Sequence, residues 1–419
     1  MTDDLSNFTV SPELLERLMN EVSSFGATAG GGLHRLTASV DDGKARSWLS
    51  AQFEKYGFRR YTDSVGNMYG ILECGGVDAP VLFTGSHLDS QPYGGRYDGA
   101  FGVIAALVAV QSLSQWFKGK NIRPQYNLGV VNWTNEEGAR FAPSLLGSKV
   151  FAGTLSQREA LASEDSDGVS LGDALKEIGF AGSDAPPDNV AGYIEAHIEQ
   201  GPALEQAGKT IGVVEGNWGT AKYQIVFEGK ASHTGPTPMS KRIDALLPAA
   251  KLISFLRQLS DETNGELLTS VGRLDIEPNS TNVVAGKVKL YAELRDIDKD
   301  RLEKARSRLE KEVKSLAQDG IRSEFKCVVD RPAGQFDPKL TKVIEDASTS
   351  CGYSNMRMHT IAGHDAIAVS QVVPSAMIFV PSADGLSHNE SEYTAPEHLL
   401  AGTSVLARSL GLLATAPPS

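Results

Sequence analysis

The stretch APVLFTGSHLDSQPYGGRYDGAFGVIAALVAV, residues 79–110, decides the fold because it carries a strand, a loop and a helix in succession. Its beginning, residues 79–86, is an apolar run typical of a buried strand, and residues 99–117 are apolar and alanine-rich, as in a helix packed on a sheet. The loop between them holds more glycine than a simple turn needs, with His87 and Asp98 on either side. We interpret it as a loop that brings these two side chains to a common point.

Further strands and helices extend this pattern along the chain. Residues 126–134 and 192–199 are predicted strands, and residues 42–57 place apolar side chains at helical spacing. Near the end of the chain, residues 339–352 are a predicted helix and residues 375–382 a buried strand. Strands that alternate with helices predict the α/β class with a mostly parallel sheet.

The middle of the chain has a different order of elements. It contains strand 221–230, helix 243–259, strands 268–278 and 286–298, helix 301–318 and strand 321–331. This β-α-β-β-α-β order fits a compact α+β domain with helices on one sheet. We therefore predict a main domain over residues 1–215 and 331–419, with a smaller domain inserted at 216–330.

Composition limits the classes of partner. The 419 residues include 41% hydrophobic and 22% charged residues, which is ordinary for a soluble globular protein, and the formal net charge is −12. Nucleic acid and anionic membranes attract basic surfaces, so neither is an expected partner. The acidic N-terminus lacks the apolar segment of a signal peptide, and we expect no apolar run long enough to cross a membrane. The three widely spaced cysteines favour reduced thiols. We expect a cytoplasmic protein.

Five polar side chains lie at or near the ends of the predicted strands or at the start of the helix that follows. They are His87, Asp98, Glu137, His197 and His388. In open α/β sheets, ligands bind beyond the carboxyl ends of the strands, so these side chains should meet at one edge. Imidazole and carboxylate ligands without thiolates suit zinc, manganese or cobalt in a site that is not purely structural. Three histidines and two carboxylates can hold two divalent ions if one carboxylate bridges them, and Asp98, beside glycines, is the natural bridge.

Two neighbouring acids complete this hypothesis. Asp89, two residues after His87, can accept a hydrogen bond from the imidazole and fix its tautomer. In an extended chain the side chains of Glu136 and Glu137 point apart, so one can bind metal while the other faces the attacking water. Glu136 is then the candidate general base. Any one of these residues alone could equally be a packed or solvated side chain, and the common position at strand ends carries the prediction.

Six motifs resemble those of a known family. They are GSHLDS, GGRYDGAFG, WTNEEGARF, IEAHIEQGP, GHDA and GLSHNESEY, and they occur over nearly the whole chain. Together they are similar to the M20-type metallopeptidase superfamily and, more narrowly, to its hydantoinase/carbamoylase branch. That branch contains N-carbamoyl-L-amino-acid hydrolases, β-ureidopropionases and allantoate amidohydrolases.

The resemblance implies a role for each matched residue. One metal would be held by His87, Asp98 and His197, and the other by Asp98, Glu137 and His388, with Glu136 as general base. His233, in SHTGPTPM, would help to polarise the scissile carbonyl, and Gln200 would contact the carbamoyl or amide group. Asn282 and Arg295 would hold the substrate carboxylate, while Gly363 and His364 belong to a loop that closes on the substrate. The inserted domain would act as a lid and form a homodimer.

The expected activity is metal-dependent hydrolysis of the carbamoyl C–N bond of N-carbamoyl-L-amino acids, to amino acid, carbon dioxide and ammonia. Allantoate, ureidoglycolate and β-ureidopropionate hydrolysis are alternatives, followed by N-acyl amino acid deacylation and dipeptide cleavage. A protein that binds a carboxylate without catalysis is the alternative of another class. The pocket departs from the family pattern at Pro236, in HTGPTPM, and at the NWGTAKY segment, so the motifs leave the substrate open.

Overall fold

A computed structural model of the chain describes Leu5 and residues 7–416. Contacts within the chain divide it into two compact units. The first takes the described residues up to Glu215 and those from Phe336 onward, and the second is Gly216–Gln335. Each unit has its own hydrophobic core.

Twelve α-helices and fifteen strands occur in the described part of the chain. The helices are α1 (Pro12–Ser23), α2 (Val40–Lys55), α3 (Ala100–Lys120), α4 (Leu146–Phe151), α5 (Gln157–Leu161), α6 (Leu171–Glu177), α7 (Ala203–Ala207), α8 (Leu246–Asp261), α9 (Lys299–Leu316), α10 (Pro338–Ser350), α11 (Asp365–Val369) and α12 (Pro396–Thr415). The strands are β1 (Arg59–Thr62), β2 (Met68–Leu72), β3 (Val81–His87), β4 (Asn127–Trp133), β5 (Val190–Ile198), β6 (Ile211–Asn217), β7 (Gly219–Glu228), β8 (Ser232–His233), β9 (Leu268–Glu277), β10 (Val283–Val284), β11 (Lys287–Asp296), β12 (Arg322–Arg331), β13 (Gly334–Gln335), β14 (Asn355–Thr360) and β15 (Ser375–Val380).

The sheet of the first unit runs in the order β1-β2-β4-β3-β5-β15-β6, and β14 also pairs with β6. Its centre, β4-β3-β5-β15, is parallel, and antiparallel strands flank it on both sides. Alternate residues of β3 enter two different cores, Leu82 one and Val81 and Phe83 the other. A sheet buried on both faces explains why its central strands are continuous apolar runs rather than alternating ones.

Helix α3 is the central helix of the larger core. By length and composition alone it could cross a membrane, so the expectation that no apolar run is long enough was wrong. Most of this helix is buried in the protein, where it packs against β3, α1 and α12. Its apolar composition is therefore that of a core helix surrounded by other elements.

The second unit is a four-stranded antiparallel sheet in the order β12-β7-β11-β9. Helices α8 and α9 pack with the sheet into one core. Alternation along β11 explains this arrangement, because Val288, Leu290 and Ala292 are buried while the residues between them are only partly so. A two-stranded ladder of β8 and β10 lies outside this sheet.

The predicted fold class, a mostly parallel α/β sheet with a separate α+β unit, is confirmed by these elements. The sequence analysis missed α12, although Pro396 at its first position and its apolar spacing are helix signals. It also missed the hairpin of β1 and β2 and several helices of five to seven residues. Such short elements depend on the surface against which they pack and have little periodicity of their own.

Candidate metal centre

Neighbouring parallel strands deliver the predicted ligands to one edge of the sheet. His87 is the last residue of β3, and His197 is the last but one of β5. Glu136 and Glu137 follow the end of β4, and His388 lies in the loop after β15. Because the carboxyl ends of these strands are adjacent, residues that are far apart in sequence converge.

His87, His197 and Asp98 form a first cluster of possible ligand atoms. The Nε2 atoms of His87 and His197 lie 3.7 and 3.2 Å from Oδ1 of Asp98. On the opposite side of each ring, Nδ1 lies 2.9 Å from a backbone carbonyl, that of Asp89 for His87 and that of Ile198 for His197. A proton on Nδ1 is donated to the carbonyl, so Nε2 keeps the lone pair that a metal requires.

Asp98, Glu137 and His388 form a second cluster. Nε2 of His388 lies 3.2 Å from Oδ2 of Asp98 and 3.5 Å from Oε2 of Glu137. His388 is held in the left-handed region with a φ of 54°, and half of its side chain is exposed, whereas Asp98 is buried. The centre is therefore open to solvent where His388 lies.

The donor set fits two divalent ions. In each cluster, one possible ligand atom per residue lies within 4.8 Å of the others. Asp98 belongs to both clusters and turns a different oxygen to each, which is the orientation of a bridging carboxylate. The backbone N–H of Gly99 donates to Nε2 of His197 at 3.2 Å, and this hydrogen bond must break before that nitrogen can bind a metal.

Asp89 organises the two neighbouring glutamates. Its buried carboxylate accepts hydrogen bonds from the Thr37 hydroxyl at 2.8 Å and from the backbone N–H groups of Glu136 and Glu137 at 3.3 Å. Oδ1 of Asp89 lies 3.5 Å from Nδ1 of His87, whereas the backbone carbonyl oxygen of Asp89 lies 2.9 Å from the same nitrogen. The hydrogen bond that orients the imidazole is thus made by the Asp89 backbone, while its side chain holds the segment of the two glutamates.

Glu136 has the position and electrostatics of a proton acceptor. Its Oε2 lies 3.5 Å from Nε2 of His87, and the residue is 7% exposed. Burial, reinforced by the carboxylates of Asp365 and Glu137, raises the pKa of Glu136 well above its usual range. A general base works best when its pKa lies near the operating pH, so this shift suits the predicted role.

The bridging carboxylate shows the opposite shift. Burial by itself would raise the pKa of Asp98, but its polar contacts with His197 and His388 outweigh it and hold the pKa well below the usual range. Burial and the charge of Asp98 raise the pKa of Glu137 to about 7. The centre thus keeps one carboxylate ionised and makes its neighbours readily protonated, as expected where carboxylates crowd around a cation site.

Gln200 adjoins the bridging carboxylate. Its Nε2 donates to Oδ2 of Asp98 at 2.9 Å and to the Ser387 hydroxyl at 3.2 Å. A carboxylate can only accept here, so the amide nitrogen must face Asp98. The other amide atom, Oε1, is buried and has no hydrogen-bond partner among the described residues.

His364 packs beside the first cluster, and Gly363 precedes it in the loop between β14 and α11. The ring centroid of buried His364 lies 4.4 Å from that of His197. With Glu195 these two histidines form a third group of possible ligands, but both oxygens of Glu195 accept hydrogen bonds from other groups, the Ser86 hydroxyl and the Ala366 N–H. We therefore interpret Glu195 as a residue that supports the first cluster from behind.

The remaining predicted site residues lie in the second unit. His233 is exposed on β8, and its register partner Val283 on β10 directly follows Asn282, so the small ladder brings His233 and Asn282 together. Arg295, on β11, forms an ion pair with Glu293. The structure thus groups one set of predicted residues in the first unit and another in the second.

The sequence analysis missed two residues that hold the predicted ligands. Gln91 donates from its backbone N–H and its side-chain amide to the two carboxylate oxygens of Glu137, at 3.1 and 2.8 Å. Glu392, nearly fully buried, accepts hydrogen bonds from the backbone around Asp98. Glu392 lies inside the motif GLSHNESEY and Gln91 directly follows GSHLDS, and only these positions in the sequence could have pointed to them.

Comparison with known proteins gives a consistent result. Residues 83–411 match the profile of the peptidase family M20/M25/M40. An N-carbamoyl-L-amino-acid amidohydrolase of Rhizobium meliloti is 36% identical over 96% of both chains, and an allantoate amidohydrolase of Bacillus subtilis is 33% identical over 94% of this chain and 95% of the other. The crystal structure of a hydantoinase/carbamoylase family amidase from Burkholderia vietnamiensis covers 99% of this chain and 100% of its own, with 36% identity and a TM-score of 0.91.

Proposed function

The chain belongs to the peptidase family M20/M25/M40 and, within it, to the hydrolases of the carbamoylase and allantoate amidohydrolase type, and from this premise we propose that it hydrolyses N-carbamoyl-L-amino acids. Its relatives act on C–N bonds in linear amides. The finer assignment, to the carbamoyl group of an L-amino acid, rests on one observation at the candidate centre.

That observation is the buried carbonyl oxygen of Gln200. Its amide nitrogen is committed to Asp98, so Oε1 is left as an acceptor without a donor among the described residues. A buried acceptor without a partner costs free energy, about 1–3 kcal/mol, which a bound donor would recover. A carbamoyl group ends in an NH₂ that can donate, whereas an acyl group ends in carbon. This favours carbamoyl substrates over N-acyl amino acids whose acyl group is a hydrocarbon.

The chemistry assigned to the chain is proton transfer and orientation. Two divalent ions, held by the two clusters that share Asp98, would supply Lewis acidity and a water of lowered pKa. Glu136 takes a proton from the attacking water as its oxygen bonds to the carbamoyl carbon. Glu136 then returns the proton to the amino-acid nitrogen as the C–N bond breaks. The released carbamic acid decomposes to carbon dioxide and ammonia.

The second unit supplies the remaining groups in this proposal. His233 would donate a hydrogen bond to the developing oxyanion, and Asn282 and Arg295 would hold the substrate carboxylate. Arg295 forms an ion pair with Glu293 on the same strand, and a planar guanidinium matches the geometry of a carboxylate. We expect closure of the loop with Gly363 and His364 over the bound substrate.

Zinc, manganese and cobalt all suit these ligands. The protein is proposed to work in the cytoplasm.

The protein is also proposed to form a homodimer. The second unit presents β9 at one edge of its sheet, with Leu268 and Leu274 exposed on it. An exposed edge strand can pair with a second copy. Sedimentation of the purified protein at the monomer mass across the micromolar range would contradict the dimer.

A second candidate substrate is allantoate, because the amidohydrolase of Bacillus subtilis that acts on it is nearly as similar as the carbamoylase. Allantoate carries a carboxylate and two carbamoyl groups, so Gln200 and Arg295 suit it equally. Ureidoglycolate and β-ureidopropionate share the same end groups. Discrimination among these substrates must therefore come from the space that the site leaves around the part of the substrate that links the carbamoylated nitrogen to the carboxylate.

A substrate panel tests the proposal directly. Ammonia and product release should be measured for N-carbamoyl-L- and D-amino acids, allantoate, ureidoglycolate, β-ureidopropionate, and an N-acetyl-L-amino acid with the same side chain. We expect the highest kcat/KM for an N-carbamoyl-L-amino acid and a value at least about 100-fold lower for the acetyl analogue, which leaves Gln200 without a donor. Faster turnover of allantoate would move the assignment to that substrate, and no hydrolysis at all would favour a non-catalytic carboxylate-binding protein.

A further inference from the structure

We infer that Glu392 is a positioning residue that fixes the bridging carboxylate of Asp98 from behind, and that through Asp98 it sets the binding of both metals. This rests on the proposed function for the role of Asp98. Glu392 is not among the possible ligands, and it reaches the centre only through other groups.

The first half of the contact is with the backbone. Oε1 of Glu392 accepts hydrogen bonds from the N–H groups of Tyr97 and Asp98, both at 3.1 Å. Gly95 makes room for the carboxylate, since a Cβ there would lie 2.0 Å from it. The segment that carries Asp98 therefore packs closely against the buried carboxylate of Glu392.

The second half runs through a hydroxyl. Ser387 donates to Oε2 of Glu392 at 2.7 Å and lies 3.3 Å from Oδ2 of Asp98. A serine has one proton, and the shorter contact takes it. The two N–H groups of the Gln200 amide can then donate to Asp98 and to the Ser387 oxygen. Each donor in this set of hydrogen bonds therefore has its own acceptor.

These bonds close a ring around Asp98. Glu392 accepts a hydrogen bond from the Asp98 backbone. Gln200 donates to the Asp98 side chain and is itself hydrogen-bonded to Ser387, which donates to Glu392. Because Asp98 turns one oxygen to each cluster, a small rotation of its carboxylate would spoil both sites at once. Ser387 also precedes His388, so the same contact anchors the loop that carries the exposed ligand of the second cluster.

The energetics favour a dedicated role over simple filling of space. A carboxylate that is 4% exposed is costly to bury unless donors compensate it. Three donors do so here, and all three belong to the segment or loop that presents a proposed metal ligand. An apolar residue would fill the same volume without fixing Asp98.

The test compares three variants of the full chain. Glu392→Gln keeps the shape but turns one acceptor oxygen into a donor, Ser387→Ala removes only the hydroxyl, and Glu397→Gln is the matched control. Glu397 is exposed in the first turn of α12, and its replacement removes the same kind of side-chain charge without touching the hydrogen bonds described above. Zinc affinity is measured by competition with a chromophoric chelator, the cobalt form by its visible absorption, and the fold by circular dichroism of the metal-free protein.

We expect Glu392→Gln to weaken zinc binding about 10- to 100-fold, the range found when a group that orients a ligand is lost. The cobalt spectrum should change, kcat should fall with KM nearly constant, and the metal-free fold should be retained. Ser387→Ala should do the same to a smaller degree, and Glu397→Gln should match the native chain. If Glu392→Gln does not fold, Ser387→Ala decides.

Native zinc affinity and an unchanged cobalt spectrum in Glu392→Gln, or in Ser387→Ala when that variant decides, would overturn the inference. The proposed function fails separately, when the native chain binds no metal or hydrolyses nothing in the panel. The two failures are therefore distinguishable.

Discussion

Glu136 differs from its neighbour Glu137 in what surrounds its carboxylate. Glu137 receives two hydrogen bonds from Gln91 and faces His388, so its oxygens are fixed in a ligand's position. Glu136 receives none from a side chain in the described residues and lies beside His87. These different surroundings support the proposal that Glu137 holds an ion and Glu136 exchanges a proton.

Replacing Glu136 with glutamine should abolish turnover and leave the metals in place. The amide has the same shape but cannot accept and return a proton, so we expect kcat to fall by a factor of about 10²–10⁴, the usual contribution of general acid–base catalysis. Steady-state rates on the best panel substrate, together with metal content of the purified variant, measure the two effects. Near-native turnover would refute the base assignment.

Gly99 is the glycine on which the geometry of the first cluster depends most. Its φ is +63°, and a Cβ there would lie 2.3 Å from the ring of His87. We expect Gly99→Ala to displace that ring and to weaken metal binding at least 10-fold, as seen in chelator competition.

Gly119 provides the control for this substitution. It lies within α3, the helix that Gly99 caps at its N-terminus, and a Cβ there would meet nothing within 4 Å. Gly119→Ala should keep native metal affinity and stabilise the helix by up to about 1 kcal/mol. Equal metal affinity in both variants would show that the space beside His87 is not required.

At the level of elements, helix α10 is tied to strand β14 by an ion pair. Arg357 on β14 donates to both oxygens of Glu345 on α10, at 3.0 and 3.1 Å. Hydrogen bonding to Arg357 lowers the pKa of Glu345 to about 2. Both side chains are partly exposed, so solvent screens much of this attraction.

Glu345→Gln should therefore destabilise the protein by about 0.5 kcal/mol at neutral pH. The folded pKa lies below the unfolded one, so the stabilisation is complete above about pH 4.5 and is lost as pH falls towards 2. Urea unfolding of both proteins at pH 7 and pH 3 measures this, and the difference should shrink at the lower pH. A difference that stays constant would show that charge plays no part.

On the scale of the whole molecule, we expect the stability of the two units to depend differently on bound metal. The first carries the crowded carboxylates Asp98, Glu136 and Glu137, which a cation would neutralise, and the second unit has its own core. Binding at 1,000 times Kd adds about 4 kcal/mol to the stability of the folded state that binds.

Chelation should consequently lower the unfolding temperature of one unit only. In scanning calorimetry with and without a chelator, we expect the transition of the first unit to drop by on the order of 5–10 °C. His388→Ala, which removes one ligand of the second cluster, should reduce this shift. A shift shared equally by both transitions would mean that the units unfold together, and no shift would mean that the centre binds no metal under these conditions.

Much of this organisation can be predicted from local patterns. The strands ending near His87, Glu136 and His197 are apolar runs bounded by polar residues. Such runs can be recognised from the sequence alone. The alternation in β11 predicts a half-buried strand in the same way. What local patterns miss is support between segments, such as Gln91 for Glu137, because no periodicity connects residues that meet only after folding.

The sequence by itself determined the central strands of the first unit, helix α3, the order of strands and helices in the second unit, and which side chains stand at the ends of those central strands, because burial and backbone preferences act over a few neighbouring residues. The tertiary structure alone decided that Asp98 turns one oxygen to each cluster, that the Asp89 side chain holds the glutamate segment rather than the imidazole, and that Glu392 lies behind the bridge. Those facts depend on distances between segments up to about three hundred residues apart, and such distances are fixed only when the sheet and its helices pack.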